Sequence, residues 1–404
     1  MVFSGGSSQE RSFVFKGHVE DAPSDKWQYF VVSDTAKLAD FMGLIRKDQH
    51  IEICRSQDVE SKARFTGFSR VSFMPCALPE LDEEDLDTKT RFLGRDFSFP
   101  MMIVGMTGGI AKGKEINQRL ARTASKFGIP MGIGSQRLAL ENKEHAAIFS
   151  VKKEVSDLFL VGNVGCAQLV AGDARDICQR AVDMIEADAL AIHLNVLQES
   201  VQVEGDRRFR GFMKKIEDVC RYLPVPIILK EVGCGVSVPI AKRLFEAGVS
   251  AIDIGGKGGT SWGYIEGLRS GKEATRRLGE EFRDWGIPTA YNLSAVRDGC
   301  PEGTIIATGG MRSGLDMAKA CALGADMVGV GLPLLRAALL SEEAVFEEVA
   351  LLERGLRVAM VASGARKVGD LAGRVCLGEP YEEAFLGRFL KNRDQSLRGG
   401  ALDG

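Results

Sequence analysis

A chain of 404 residues with 45 % hydrophobic side chains can bury a sizeable core, and its length suits two or three average domains or one barrel carrying insertions. A net charge of −3 leaves no basic footprint for nucleic acid, and no apolar stretch reaches the ~18 residues of a membrane span. Nine cysteines, odd in number and without a C-x-x-C pair, read as the reduced thiols of a cytoplasmic protein.

Residues 1–40 read as an N-terminal extension whose Gly/Ser-rich start is disordered, with 27–32 available as an edge strand or docking arm. The next segment carries Arg46-Lys47-Asp48-Gln49-His50, which by itself is an ordinary solvated charge run. From residue 100 onward, eight β-rich runs recur at 100–106, 129–134, 158–165, 189–194, 226–232, 251–255, 304–308 and 327–331. Each is followed by a segment of helical length, such as 115–126 with Ile116, Leu120 and Phe127 on one face, or 174–186 with Ile177, Ala181 and Ile185. Eight strand–helix units predict a closed (β/α)₈ TIM barrel over 41–404 rather than an open doubly wound sheet.

In such a barrel the C-terminal ends of all strands share one mouth, so residues just past each run converge on one site. The fourth run ends in His193-Leu194-Asn195-Val196-Leu197-Gln198-Glu199, more bonding and ionisable groups than a strand end needs for its own backbone. Gly309-Gly310 and Gly331 form turns whose N–H groups can approach an anion, with Thr260 and Ser261 alongside, so a phosphorylated ligand is implied. Gly255–Gly259 is not a dinucleotide fingerprint, which belongs after the first strand of a Rossmann unit. Lys230 lies inside the apolar run Ile227-Ile228-Leu229, where an unpaired ammonium is costly; its expected partner is Glu231 or, preferably, a ligand. Glu199 suits a hard cation shared with phosphate, though a lone carboxylate serves equally in a surface ion pair.

Taken in order, Arg46-Lys47-Asp48, His50, Ala77-Leu78-Pro79-Glu80-Leu81, Met106-Thr107-Gly108-Gly109, Gly134-Ser135-Gln136-Arg137, the His193 heptad, Glu204-Gly205-Asp206-Arg207, Lys230-Glu231-Val232-Gly233 and Gly258-Gly259-Thr260-Ser261-Trp262 resemble type 2 isopentenyl diphosphate isomerases. That resemblance implies interconversion of two C5 isoprenoid diphosphates in isoprenoid biosynthesis, with reduced FMN, Mg²⁺, NADPH as reductant and a homo-oligomer, tetramer or octamer. It assigns Met106, Thr107, Ser135, Asn163, Lys230 and Thr260 to FMN, with Gly310, Met311, Arg312, Gly331 and Leu332 around its phosphate. Arg46, Lys47, Ser135, Gln136, Arg137, His193 and Asn195 would hold the substrate, Gln198 and His193 would act at the reacting unit, and Glu199 would bind the metal. The chain departs from the pattern at Gln49, usually Glu; at Val196 and Val203, usually Pro; and at Met311, usually Ile.

Three other readings compete. An FMN-dependent 2-hydroxy-acid oxidase or dehydrogenase needs a histidine near the seventh strand, and no histidine follows His193. A purine-nucleotide dehydrogenase needs a cysteine loop after the sixth strand, and Cys300 only precedes the seventh. A non-catalytic flavin-binding barrel has no use for Gln198 and Glu199.

Overall fold

Short apolar runs buried on both faces make parallel strands, and here they close on themselves. The computed structural model describes residues 13–18, 27–32, 35–106 and 111–377. Eight parallel strands form a barrel in sequential order: β1 (Met101–Ile103), β2 (Met131–Gly132), β3 (Leu160–Gly165), β4 (Ala189–Leu194), β5 (Ile227–Glu231), β6 (Ala251–Asp253), β7 (Ile305–Ala307) and β8 (Met327–Val330). Closure comes from β8 on β1, with Val328 opposite Met101 and Val330 opposite Ile103. The expected strands are all present, each inside its predicted run, and the helices Ala111–Phe127 and Ala174–Ile185 cover the two predicted helical segments.

The period-2 alternation of a strand sorts side chains into two cores. Leu160, Leu190, Ile192, Ile227, Leu229, Ile252, Ile305 and Val328 point outward into the layer shared with the helices. Met102, Val161, Ala189, Ala191, Ile228, Ala251, Ile306 and Met327 point inward and pack with Phe92 and Phe97. Those two phenylalanines belong to an antiparallel hairpin, Thr90–Phe92 with Arg95–Phe97, which plugs the floor of the barrel. One rung higher on the same inward face, the alternation delivers Asn163, His193, Lys230, Asp253 and Thr308, so the apolar plug ends where a polar layer begins.

The strand Trp27–Val32 joins Phe13–His18 in a separate antiparallel pair, not the edge of the barrel sheet. After it, the helix Thr35–Ser56 runs across the expected boundary near residue 41 and brings Arg46, Lys47 and His50 over the mouth. The chain then forms a strap: Ser261 N–H donates to the Val59 carbonyl and Ser61 N–H to the Gly259 carbonyl, both at 2.8 Å. All nine cysteines are free thiols. Among the described residues no helix is long and apolar enough to cross a membrane.

Candidate active site at the barrel mouth

One cavity at the C-terminal end of the barrel gathers most of the residues singled out above. It is lined by Arg46, Lys47, Met106, Ser135, Arg137, Asn163, His193, Asn195, Gln198, Glu199, Lys230, Thr260, Gly310, Met311, Arg312, Gly331 and Leu332. Thr107, with Gly108 and Gly109, lies outside the described residues.

Gln136 departs from its expected place at the substrate. Its side chain is fully buried in the wall, where Nε2 donates to the Ala181 carbonyl (2.8 Å) and Oε1 accepts from Asn163 N–H (2.9 Å). Both ends of the carboxamide are spent on holding β3 against the helix Ala174–Ile185, so it has no donor left for a ligand. Gln49 is exposed, as are Val196 and Val203, whereas Met311 is buried against the core.

Lys230 departs from one expected pairing, because its nearest protein carboxylate is not Glu231. Asp253 on the adjacent strand is paired with it in register, with Nζ 3.6 Å from Oδ2. Glu231 turns away and accepts from the N–H groups of Val232 (2.7 Å), Gly233 (2.8 Å) and Cys234 (2.5 Å), giving Lys230 only its carbonyl at 3.1 Å. Burial raises the Glu231 carboxyl to about 6 against the pull of those donors and of Lys230.

The tautomer of His193 follows from its neighbour. Asn163 donates through Nδ2 to the Ile133 carbonyl (2.9 Å), which leaves Oδ1 facing His193 Nδ1 at 2.7 Å as an acceptor. Nδ1 therefore carries the proton and Nε2 a lone pair. Burial, with the charges of Lys230 and Lys47, pushes the imidazole down to about 3, which keeps it neutral. Burial, Arg46 and Arg137 likewise lower Lys47 to about 8. These are the marks of a pocket in which buried cations crowd one another.

The sequence reading missed the group that organises this pocket. Glu266 lies on the helix Trp262–Arg269 with no exposed surface. Its Oε1 accepts from His50 Nε2 (3.0 Å) and Gln198 Nε2 (2.8 Å), and its Oε2 from Arg269 Nε (2.8 Å). Gln202, in the amide orientation that satisfies both neighbours, donates to Glu266 and accepts from Arg46, each at 3.0 Å. Burial alone would raise this carboxyl; the bonds from His50, Arg269 and Gln198 hold it down at about 2. An acid within the apolar run Tyr264-Ile265 was the available signal.

Asn195 stands at the N-cap position of the helix Val196–Val201 without a side-chain bond to its backbone, and its Nδ2 donates instead to Gln198 Oε1 (3.2 Å) and Glu199 Oε1 (3.0 Å), which aims both side chains. Glu199 Oε2 accepts from Asp206 N–H at 2.8 Å. Among the described residues no cluster of three or more His, Cys, Asp or Glu side chains forms a ready metal cage. Trp262 lines the cavity with the edge of His50 against it, ring centroids 5.4 Å apart, whereas Tyr264 lies under Arg283.

The phosphate end is built from backbone. Gly309 and Gly310 have φ of 109° and 80°, open only to glycine without strain, and a Cβ on Gly310 would meet the Gly258 carbonyl at 2.7 Å. The helix Leu332–Leu340, with Gly331 at its N-cap, begins at the cavity, although Pro333 removes one N–H from its first turn. Arg312 reaches back from this turn to Glu60 on the strap.

A closed parallel barrel with glycine turns after β7 and β8 defines a class of (β/α)₈ proteins with a phosphate-type site at the mouth. The FMN-dependent dehydrogenase family model matches residues 49–208 and 197–377, and the chain belongs to that family. Within it the relatives are isopentenyl-diphosphate delta-isomerases. Those of Stutzerimonas stutzeri and Archaeoglobus fulgidus are each 45 % identical over 329 residues, covering 81 % of this chain and 94 % of theirs. That of Synechococcus is 46 % identical over 313 residues, covering 78 % and 90 %. Among solved structures, mandelate oxidase with (S)-2-phenylpropionate superposes with a TM-score of 0.56 over 83 % of this chain and 98 % of that one; at 21 % identity it shares the fold alone.

Proposed function

We infer that this chain is a type 2 isopentenyl-diphosphate delta-isomerase, interconverting isopentenyl and dimethylallyl diphosphate at an FMN held in the barrel mouth. The observation that carries the reading is the convergence of Arg46, Lys47 and Arg137 on one side of the cavity with neutral His193 and Gln198 beside them. Cations of that density ask for a multiply charged ligand, and the groups beside them include no strong acid or base for an apolar C5 unit.

The residues fit FMN: the glycine turns and the start of Leu332–Leu340 suit its phosphate, and Lys230 suits the electron-rich edge of a reduced isoalloxazine. When bound in its reduced form, FMN supplies proton transfer at the C5 carbons and is not consumed. The protein holds the rest. Arg46, Lys47 and Arg137 neutralise the diphosphate. A diphosphate beside His193 reverses the balance that keeps it neutral, so Nε2 takes a proton and donates it to a phosphate oxygen while Nδ1 stays on Asn163. Gln198, pinned between Asn195 and Glu266, orients the C5 unit and excludes water. Glu199 offers one carboxylate to Mg²⁺, which would take its remaining ligands from phosphate and water. NADPH as the source of electrons, a homo-oligomeric state and a cytoplasmic location complete the proposal.

An anaerobic isomerase assay with and without reduced FMN, run in D₂O, tests it. One solvent deuterium per turnover with no net reductant used supports the isomerase. Stoichiometric oxidation of a 2-hydroxy acid would return the oxidase, and flavin binding without turnover would leave a non-catalytic barrel.

A further inference from the structure

Asp253 is a buried carboxylate that the scheme above does not use. It lies at the top of β6, 2 % exposed and behind the cavity wall, whereas Lys230 and Thr308 on either side of it line the cavity. An isolated carboxylate there would be costly, and the barrel answers it from three directions. The Thr308 hydroxyl and Gly255 N–H donate to Oδ1, the latter at 3.2 Å, and the Lys230 ammonium stands 3.6 Å from Oδ2. The ammonium is thus close enough for charge compensation but too far for a strong hydrogen bond; one donor goes to the Glu231 carbonyl (3.1 Å), and the side chain still lines the cavity.

We propose that Asp253 is a positioning residue that sets how much positive charge Lys230 presents to the flavin, and so how strongly the site prefers reduced over oxidised FMN. The proposal rests on the flavin reading given above. With Asp253 ionised, the pair is close to neutral as a unit and Lys230 acts on the cofactor as a dipole. With the carboxylate removed, the same ammonium acts as a full charge in a site of low polarisability, where it favours the electron-rich form. Thr308 belongs to the device because burial raises the Asp253 carboxyl, and the Thr308 hydroxyl, with Lys230, opposes that rise.

The test compares the affinities of oxidised and reduced FMN, by titration and by spectroelectrochemistry, in the full chain. Asp253→Asn, nearly isosteric, is expected to favour the reduced form tenfold or more, a rise of ~30 mV in a two-electron midpoint potential. Lys230→Met is expected to move the ratio the other way, and Asp253→Asn added to it to change nothing further. An unchanged or lowered potential in Asp253→Asn with flavin bound would overturn the proposal, as would an equal shift in the Lys230→Met background. If Asp253→Asn does not hold flavin, Thr308→Val carries the test: a smaller shift of the same sign supports the proposal and no shift overturns it. Failure of the unaltered chain to bind FMN would overturn the flavin reading, and the proposal with it.

Discussion

Replacing Gln198 by alanine removes a carboxamide fixed at both ends, Oε1 by Asn195 and Nε2 by Glu266. Turnover is expected to fall on the order of 10²-fold with little change in KM if, as proposed above, the group positions the C5 unit rather than the diphosphate; steady-state kinetics check the split. Glu266 is the harsher position. Glu266→Ala strands Arg269, Arg46 and His50 without their buried anion, and a loss of ~3–5 kcal/mol in unfolding free energy is expected from denaturant melts. Lys47 gives a pH signature with a definite sign. Burial, Arg46 and Arg137 lower its ammonium to about 8 in the folded chain against 10.5 for the free side chain, so between those values the unfolded chain binds more protons. Stability therefore rises with pH across that window, and below it the full penalty of the buried charge applies. Lys47→Met is expected to remove that rise, read as the difference between the two chains in melts from pH 7 to pH 10.

At the scale of elements, packing makes an equally sharp expectation. The helices Gly314–Ala322 and Glu342–Ser363 cross at two glycines: a Cβ on Gly314 would meet the Leu352 carbonyl at 2.3 Å, and one on Gly355 would meet Gly314 Cα at 2.9 Å. Gly355→Val is expected to cost ~1–3 kcal/mol by overpacking, with kcat unchanged in the folded fraction, since neither helix body reaches the cavity. The strands themselves were legible in the sequence because both faces are buried and each run ends in, or is followed directly by, glycine or a polar residue. Their lengths were not: the run 100–106 yields a ladder only over Met101–Ile103, since hydrogen bonding to neighbours, not hydropathy, ends a strand. Of the site, the residues beyond strand ends were readable because a barrel sends them all to one mouth. Asp253 and Glu266 were not, because each is explained by side chains on other elements, Lys230 across the ladder or His50 and Gln198 from distant segments. Gln136 misled for the converse reason, since nothing local reveals that the Ala181 carbonyl claims its amide.

For the whole molecule, the barrel is a scaffold whose top is completed by ligand. FMN at 100 times its Kd is expected to add ~2.7 kcal/mol to stability, and riboflavin, lacking the phosphate, to add far less at the same concentration; thermal melts with each flavin separate the two. The strap gives this a consequence for order of binding. The helix with Arg46, Lys47 and His50 is followed by backbone bonded to the turn beside the phosphate cradle, and Glu60 on that strap grips Arg312. Cofactor and substrate thus pull on opposite ends of one short lever. A ligand that stiffens one end spares the other part of its ordering cost, and by thermodynamic reciprocity each must tighten the other by the same factor. Inorganic diphosphate is accordingly expected to lower the Kd for FMN, and FMN the Kd for diphosphate, in equal ratio by calorimetry. Glu60→Ala removes the grip on Arg312 but leaves the backbone bonds of the strap, and should shrink that mutual tightening.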